Sequence, residues 1–271
     1  MEKLHHELWL TQAVNALFGP VAAAILRALG RPVPAHNVIP DYLAMLLVIT
    51  VALAAFALFV RSRLSVEHPG SLQVLLEDFV GIFNRLLDDF VGPAGRRYLP
   101  IVGSLFLLIL IANLAGMVPG LMAPTSNVNV TLGCALTVWV LYHVEGIRAQ
   151  GIVSYLKHFV MLPGAPGWMI AFAPIILIIE GIAHLARALS LTIRLFGNIF
   201  GEELVIAILA GLIPFLIPLP MMFLGLITGG LQAFIFVLLS IIYLQGAVAV
   251  EHEQDEHGHD APHGVHAPAS A

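Results

Sequence analysis

The chain has 271 residues, of which 59% are hydrophobic and only 11% are charged, less than half the roughly 25% charged share of an ordinary soluble domain. Its net charge is -5, its apolar content is high and Cys134 is its only cysteine, which excludes a disordered chain, a nucleic-acid-binding surface and a disulfide scaffold. The composition predicts a polytopic membrane protein.

Residues 1–39 precede the first long uncharged stretch, and we expect them to form an N-terminal segment at the outer side of the membrane. Apolar residues recur near helical spacing at Leu4, Leu8, Val14, Leu17 and Phe18, and Trp9 is typical of an interfacial anchor. A helix on the membrane surface is therefore predicted here.

Long uncharged stretches predict a membrane domain over residues 40–250. Residues 43–60 match a ~30 Å hydrocarbon core at ~1.5 Å per helical residue and form one retained span. Residues 98–144 allow two crossings around a polar turn at 119–129. A further uncharged stretch covers residues 159–179. The uncharged residues 204–250 are too long for one crossing and must fold back, at a place marked by Pro214, Pro218 and Pro220.

The predicted fold class is an all-α polytopic membrane protein with about five membrane-embedded helices plus amphipathic surface helices. One such surface helix is predicted over residues 71–91, where acids alternate with apolar residues at helical spacing. Residues 251–271 contain five acids, five His and no Lys or Arg, so they are predicted to be a disordered acidic tail without a structural metal site.

The distribution of Lys and Arg predicts the orientation. The loops after the first and third spans carry Arg61, Arg63, Arg85, Arg96, Arg97, Arg148 and Lys157, whereas the turn at 119–129 carries none. Basic loops face the cytoplasm, so five crossings place the N-terminus outside and the C-terminus inside. We expect a bacterial plasma membrane, because no transit-like Arg/Ser-rich leader precedes residue 43.

A polar stripe interrupts the apolar stretch 174–214. It comprises Glu180, His184, Arg187, Arg194, Asn198, Glu202 and Glu203, with small hydroxyls at Ser190 and Thr192. Positions 180, 184, 187, 191, 194, 198 and 202 are three or four residues apart, which predicts one face of a helix. Charges at bilayer depth are costly and by default mark a pathway or relay.

A purely structural role is the alternative for several of these residues. Glu180 and His184 are also compatible with a local buried pair, Glu202 with a polar helix end near an interface, and Arg187 with snorkelling to the surface. Arg194 differs because no acid lies three or four residues away, so its partner must come from another helix or another chain.

A permanently protonated guanidinium that faces a foreign carboxylate favours release of the carboxylate's proton. Polar groups on either side of Arg194 are suited to holding water in two separate half-passages. The guanidinium then bars a direct leak between them, as positive charges in pores exclude protons and cations.

The residues that carry this pattern resemble subunit a of the F-type ATP synthase. The resemblance rests on residues 189–198, LSLTIRLFGN, residues 201–204, GEEL, and residues 231–236, LQAFIF. Asn113, residues 126–132 and Glu180, 14 residues before Arg194, agree with it. The similarity covers essentially residues 40–250.

The resemblance implies a role for each matching residue. Arg194 matches the essential arginine that faces the c-ring carboxylates. Asn198, Glu203 and Gln232 match the outer half-channel, and Glu180 matches the acid of the cytoplasmic half-channel. The family architecture also implies that residues of about 168–250 form a steeply tilted helical hairpin.

The same resemblance implies a stator subunit that couples the proton motive force to rotation and ATP synthesis. Its partners are the c-ring, the subunit b stator stalk, the remainder of the ATP synthase and the lipid bilayer, with no cofactor and no catalytic site of its own. Some bacterial members have a His seven residues before the Gln, whereas this chain has Gly225. We hypothesise that His184 tunes the inner passage, with Glu202, Arg187 and Ser190 as auxiliary residues.

Two other functional classes were considered. An independent proton-coupled transporter or a pumping respiratory subunit predicts inverted repeats or buried acid–lysine pairs in series, and neither is evident in the sequence. A membrane metalloenzyme needs ligands that converge from facing helices, but His143 and His158 are expected in loops or at span ends.

Overall fold

The computed structural model describes residues 9–34, 37–66, 68–118, 121–152, 155, 173–212 and 218–248. Over these residues it contains helices and no strands, which confirms the predicted all-α class. The seven α-helices of this described part are α1 Trp9–Ala28, α2 Asp41–Arg63, α3 Ser71–Val91, α4 Leu99–Ala115, α5 Val128–Gln150, α6 Ala173–Leu212 and α7 Pro218–Val248. Two short 3-10 helices, Pro93–Tyr98 and Pro124–Ser126, precede α4 and α5.

Six of the described helices are long and apolar enough to cross a membrane. They are α1, α2, α5, α6, α7 and the helix Pro93–Ala115, which contains α4. Five of them coincide with the predicted embedded helices. The sixth, α1, lies where we expected a surface helix, and by length and mean hydropathy it also qualifies as a span. Helix α3 is not among the six, and it begins and ends at the residues predicted for the surface helix. Its placement at the surface stays a prediction.

Helix α5 shows how local sequence sets an element's ends. At its start the Asn127 side chain accepts a hydrogen bond from the Asn129 N–H, a typical N-cap. At its end Gly151 adopts φ 76°, a conformation that favours glycine, and its N–H bonds to the Ile147 carbonyl. The N-cap and the C-terminal glycine mark the two ends of a 23-residue helix, which is long enough for one crossing of the membrane.

The main packing core lies where α4, α5, α6 and α7 meet. Its most buried side chains include Ile109, Val138, Leu195, Phe236 and Leu244, each no more than 1% exposed. In lipid this close packing, and not expulsion of apolar groups from water, is what holds the helices together. The core therefore fixes the position of α6, which carries the polar stripe, against α5 and α7.

Helices α1 and α2 pack at the side of this core. Met45 and Ile49 of α2 contact Ala112 and Ala115 of α4. Helix α1 is held at the start of α2 by Asn15, whose side-chain amide both donates to the Ile39 carbonyl and accepts from the Ile39 N–H, each at 2.9 Å.

An ion pair fixes the corner between α3 and the 3-10 helix that follows. The Arg96 guanidinium donates hydrogen bonds to both carboxylate oxygens of Asp88, the shortest at 2.6 Å. These hydrogen bonds hold the pKa of the Asp88 carboxyl below its usual range. The corner directs the chain from α3 into the spanning helix α4.

Helix α6 is unusually long. Its 40 residues extend over ~60 Å as one continuous helix, about twice the ~30 Å hydrocarbon core. Helix α7 has 31 residues, or ~46 Å. Helices of this length fit a bilayer only when they are tilted, in line with the predicted hairpin, whose first residues, 168–172, lie outside the described part.

Candidate functional site

Arg194 lies near the middle of α6 on a face that no other described residue covers. Its side chain is exposed, and it forms no hydrogen bond or ion pair with the described residues. The apolar side chains around it are also exposed, notably Leu189 and Ile193 of α6 and Leu231 of α7. This chain therefore presents one guanidinium on a bare apolar surface, as expected for a residue whose partner belongs to another chain.

One helical turn after Arg194, Asn198 connects α6 to α7. The Asn198 Nδ2 donates a 2.7 Å hydrogen bond to Oε1 of Gln232, which is only 3% exposed. The Gln232 Nε2 is buried and has no hydrogen-bond partner among the described residues. A buried donor of this kind is normally satisfied by water, so this amide is suited to orient a water molecule.

The next turn of α6 brings in Glu202. Its carboxylate accepts a 3.1 Å hydrogen bond from the Thr228 hydroxyl. A Cβ built on Gly225 would overlap this carboxylate. The acid therefore occupies the space of a side chain at position 225.

Glu203 points toward α4 and the loop before α5. Its Oε1 accepts a 3.0 Å hydrogen bond from the backbone N–H of Ala123. A Cβ at Gly116 would lie 2.8 Å from the same oxygen, so the carboxylate rests directly on the glycine backbone. This acid is anchored away from Arg194, toward one end of the helix bundle.

A buried hydrogen-bonded chain adjoins this end of the site. The Thr125 hydroxyl donates to Oδ1 of Asn113 at 2.7 Å, and the Asn113 Nδ2 donates to the Gly229 carbonyl at 2.9 Å. The chain ties α4 and the 3-10 helix at 124–126 to α7. We refer to Asn113, Thr125, Asn198, Glu202, Glu203, Thr228 and Gln232 as the outer cluster.

A cavity of about 270 Å³ opens within the outer cluster. Its polar lining comes from Asn198, Glu202, Thr228 and Gln232, and Gly225 contributes bare backbone. A water molecule takes ~30 Å³ of liquid volume and needs two to four polar partners. Both requirements are met, so this cavity can hold several waters beside the Glu202 carboxylate.

At the other end of α6, His184 lies at the centre of a second group. Its Nδ1 is 2.9 Å from the Tyr142 hydroxyl, and its Nε2 is 3.2 Å from Oε1 of Glu180. The Glu180 side chain is 39% exposed, whereas that of His184 is 11% exposed. The local Glu180–His184 pair therefore exists, but Tyr142 links it to α5.

Three further side chains complete this second group. The His143 ring lies 4.9 Å from the His184 ring, centroid to centroid, and the Arg187 guanidinium lies 5.7 Å from the centre of the Tyr243 ring. Of the two positions expected for His143, a loop or a span end, the structure excludes the loop: His143 lies inside α5, seven residues before the helix ends. We refer to Tyr142, His143, Glu180, His184, Arg187 and Tyr243 as the inner cluster.

An apolar layer separates the two clusters. The contact between Asn198 and Gln232 marks its outer boundary and that between Arg187 and Tyr243 its inner boundary. Between these levels lie Ala188, Leu191, Leu195, Phe236 and Val237, each at most 4% exposed. The hydroxyls within the layer, Thr192 and Ser240, donate to carbonyls of their own helices. Among the described residues, the buried part of this layer offers no polar route from one cluster to the other.

The predicted stripe lies on one helix, but not on one uniformly buried face. His184 and Leu191 are buried, whereas Arg194 and Asn198 are exposed on the flank of the packed face. Ser190 is also exposed, with no hydrogen bond to a described residue. His158 and the acidic tail lie outside the described residues. No group of three or more His, Cys, Asp or Glu within the described part is placed to hold a metal ion.

Sequence reasoning missed Tyr142, Thr125 and Thr228. Each contacts a predicted residue from a different helix or turn, at separations of up to 42 residues. Periodicity within one helix carries no signal for such pairs. Tyr142 and His143 precede a basic helix end, which is a weak sign of a polar group at the membrane surface.

Residues 42–245 match the family model described as ATP synthase A chain. The chain belongs to this family. It is 42% identical over 202 residues to ATP synthase subunit a 3 of Pelobacter propionicus, covering 74% of this chain and 85% of that protein. It is 45% identical over 204 residues to ATP synthase subunit a 1 of Syntrophotalea carbinolica, covering 75% and 84%.

A further relative, ATP synthase subunit a of Citrifermentans bemidjiense, is 42% identical over 204 residues, which is 75% of this chain and 86% of that protein. The family confirms the resemblance on which the sequence interpretation depended. Membership makes the chain a multi-pass membrane subunit of an ATP synthase, the proton-channel stator subunit of its membrane sector. An independent transporter or respiratory pump is not favoured.

Proposed function

We propose that this chain passes protons through two half-channels to and from the carboxylates of a c-ring. One observation supports this most directly: Arg194 stands exposed on a bare face, between two polar clusters that an apolar layer keeps apart. A proton can then travel from one cluster to the other only by way of a carboxylate that passes in front of Arg194. This requirement couples proton flow to rotation and ATP synthesis.

In this proposal the outer cluster is the half-channel open to the outer side. Glu203, Asn198 and Gln232 line it, and the cavity beside them holds the water that carries the proton. Glu202 supplies a second acid in the place of a side chain at position 225. Two acids and an amide within two helical turns form a short relay that ends next to Arg194.

The inner cluster is the corresponding half-channel on the cytoplasmic side. Glu180 receives or supplies the proton at the exposed surface of α6, and His184 lies behind it, oriented by Tyr142. Arg187 packs over Tyr243 and contributes positive charge at the end of the passage. Ser190, exposed between this cluster and Arg194, is an auxiliary polar group on the same path.

Arg194 acts by charge and not by exchanging protons, because a guanidinium stays protonated in proteins. Facing an arriving rotor carboxylate, it stabilises the ionised form and so favours release of the proton. Its fixed positive charge also repels protons that would cross between the half-channels directly. Catalysis of ATP synthesis belongs to other subunits of the complex.

The proposed assembly places the exposed faces of α6 and α7 against the c-ring. The exposed residues of these faces are apolar apart from Ser190, Arg194 and Asn198, which suits close packing against lipid-embedded helices. The subunit b stalk is the proposed second partner. We further propose that α3 and the C-terminus lie on the cytoplasmic side of a bacterial plasma membrane, with the N-terminus outside, because basic loops favour the cytoplasm.

Cysteine crosslinking in the assembled ATP synthase tests the central contact. The native Cys134 is buried and is first replaced by serine, after which Ile193→Cys places a thiol beside Arg194. Crosslinking to the carboxylate-bearing helix of subunit c is expected from position 193. The matched control is Leu58→Cys on α2, a similarly exposed position on a helix that packs against α1 and α4. If both positions crosslink to subunit c equally or position 193 fails, the proposed face is wrong.

A further inference from the structure

A second charged site lies at the membrane end where α4 begins and α5 ends. Glu145 of α5 is buried, and its carboxylate accepts hydrogen bonds from Arg148 at 2.7 Å and from the Tyr98 hydroxyl at 3.0 Å. The Arg97 guanidinium lies 3.6 Å from the same carboxylate and 4.7 Å from the centre of the Tyr98 ring. None of these residues belongs to either half-channel cluster.

The charges at this site do not balance. Arg96 is satisfied by Asp88, which leaves the single carboxylate of Glu145 to face both Arg97 and Arg148. One positive charge is therefore in excess. The side chains of Arg97 and Arg148 are 54% and 71% exposed, so their remaining N–H donors point away from the packed core.

A cavity of about 310 Å³ connects these guanidinium groups to apolar surface. Arg97, Tyr98, Glu145 and Arg148 line its polar end, and Ile101, Leu141 and Ala149 line the rest. Ile101 is 37% exposed on the outside of α4, one turn into the spanning helix. The site thus offers a cationic mouth at the membrane surface and an apolar wall that continues toward the bilayer.

We infer that this cavity binds the headgroup of an anionic phospholipid. The phosphate accepts hydrogen bonds from the two guanidinium groups, whose planar donors match a phosphate's oxygens. The first part of an acyl chain lies along Ile101 and Leu141. Basic pockets between spanning helices on the cytoplasmic side have the charge and position for such lipids. This inference does not depend on the proposed half-channels.

Photocrosslinking in the assembled complex tests the site. The ATP synthase is placed in phosphatidylcholine nanodiscs with a trace of phosphatidylglycerol that carries a diazirine in its acyl chain. After illumination, mass spectrometry locates the label. Labelling of the peptides that contain Ile101 and Leu141 is expected from the phosphatidylglycerol probe, at least several times more than from a phosphatidylcholine probe with the same chain. Equal labelling by the two probes would overturn the inference.

Arginine variants give the decisive comparison. Arg97→Gln leaves the short Glu145–Arg148 ion pair intact and should reduce labelling roughly fivefold, since each surface arginine contributes that factor toward anionic lipid. Arg148→Gln should act similarly. Arg96→Gln is the matched control, because Arg96 is bound to Asp88 and does not line the cavity. Equal reductions by Arg97→Gln and Arg96→Gln contradict a specific site.

Inorganic phosphate separates a lipid site from a site for the free anion. Because the acyl chain adds contacts along Ile101 and Leu141, phosphate at millimolar concentration should leave the labelling unchanged. Displacement of the probe by phosphate, with no effect of an equal ionic strength of chloride, means that the site holds the free anion and overturns the assignment to lipid. Full ATP-driven pumping by Arg97→Gln shows that the variant is correctly assembled.

Discussion

The carboxylate of Glu202 occupies the space into which a side chain at position 225 would project. Gly225 permits this because it has no Cβ, and Thr228, three residues on, binds the same carboxylate at 3.1 Å. An acid on α6 and a glycine on α7 thus form one matched pair across the interface. The pair adds a titratable group to the outer cluster at position 225, where the sequence alone predicted that a histidine was missing.

The first prediction concerns this pair. Gly225→Ala should displace the Glu202 carboxylate and destabilise the assembled subunit by about 1 kcal/mol, the low end of an overpacking cost, because the methyl group meets the ends of flexible side chains. The double variant Gly225→Ala/Glu202→Ala should recover the stability. Gly246→Ala, on the same helix with open space around it, is the control and should be neutral. Thermal release of the subunit from the purified complex measures the effect, and equal behaviour of the two single variants would contradict it.

The second prediction concerns Arg194. Arg194→Ala should abolish ATP-driven proton pumping and coupled synthesis, because no other exposed cation of the described residues faces the bare surface of α6 and α7. Passive leak is expected to persist or rise as the positive barrier is lost. Fluorescence quenching in inverted vesicles measures both. Ile193→Ala, at the neighbouring exposed position, should keep pumping, whereas normal pumping by Arg194→Ala would refute the assignment.

The third prediction concerns Gln232. Gln232→Leu should lower proton flux roughly two- to tenfold without stopping it, the effect of losing about one net hydrogen bond. The variant removes the acceptor of Asn198 and the buried Nε2 donor, but Glu202 and Thr228 still line the cavity. Leu231→Val next to it is the control. Flux through vesicles driven by a potassium diffusion potential gives the measurement, and complete loss would show that the amide is indispensable.

The fourth prediction concerns the inner cluster. Tyr142→Phe removes the hydroxyl that holds His184 at 2.9 Å and should lower proton flux and alter its dependence on cytoplasmic pH. His184→Ala should act in the same direction and more strongly. Tyr42→Phe on α2, whose hydroxyl makes only a 3.4 Å contact with Asn129, is the control. An unchanged flux and pH profile for His184→Ala would show that the histidine is structural.

Much of the fold follows from where the charges are absent. The uncharged stretches predicted α2, α4, α5 and α7, and the amphipathic pattern at 71–91 matched the bounds of α3, because each is a local property of a helix. The middle of α6 carries charges, and there the prediction depended on helical spacing and on the family resemblance. The position of helix α1 relative to the membrane could not be predicted in the same way, since its apolar spacing fits both a surface helix and a span. The sequence does not show which face of α1 packs against the rest of the chain, because the contact that holds α1, between Asn15 and Ile39, joins residues 24 apart.

The site was predictable in its composition but not in its geometry. Six of its residues lie on α6 at helical spacing, and that spacing identified them, with Glu203 next to the last of them. Their partners come from other helices: Asn113 contacts Gly229 across 116 residues, and His184 contacts Tyr142 across 42. Such pairs are fixed by how four helices pack. Even along α6 the spacing misled in part, because Arg194 and Asn198 flank the buried face.

The last prediction concerns the apolar layer between the clusters. Leu195 is fully buried at its centre, so Leu195→Asn should introduce a polar group and room for water, and passive proton leak should rise several-fold. Leu195→Ala removes similar volume without a polar group and should leak less, despite a stability cost of about 2–5 kcal/mol. Leu189→Asn, the same change at an exposed position of α6, should leave leak unchanged. Leak is measured as the decay of an imposed pH gradient in vesicles that contain the complex without ATP. If Leu195→Asn assembles yet leaks no more than Leu195→Ala, the barrier between the half-channels does not reside in this layer but in the charge of Arg194 alone.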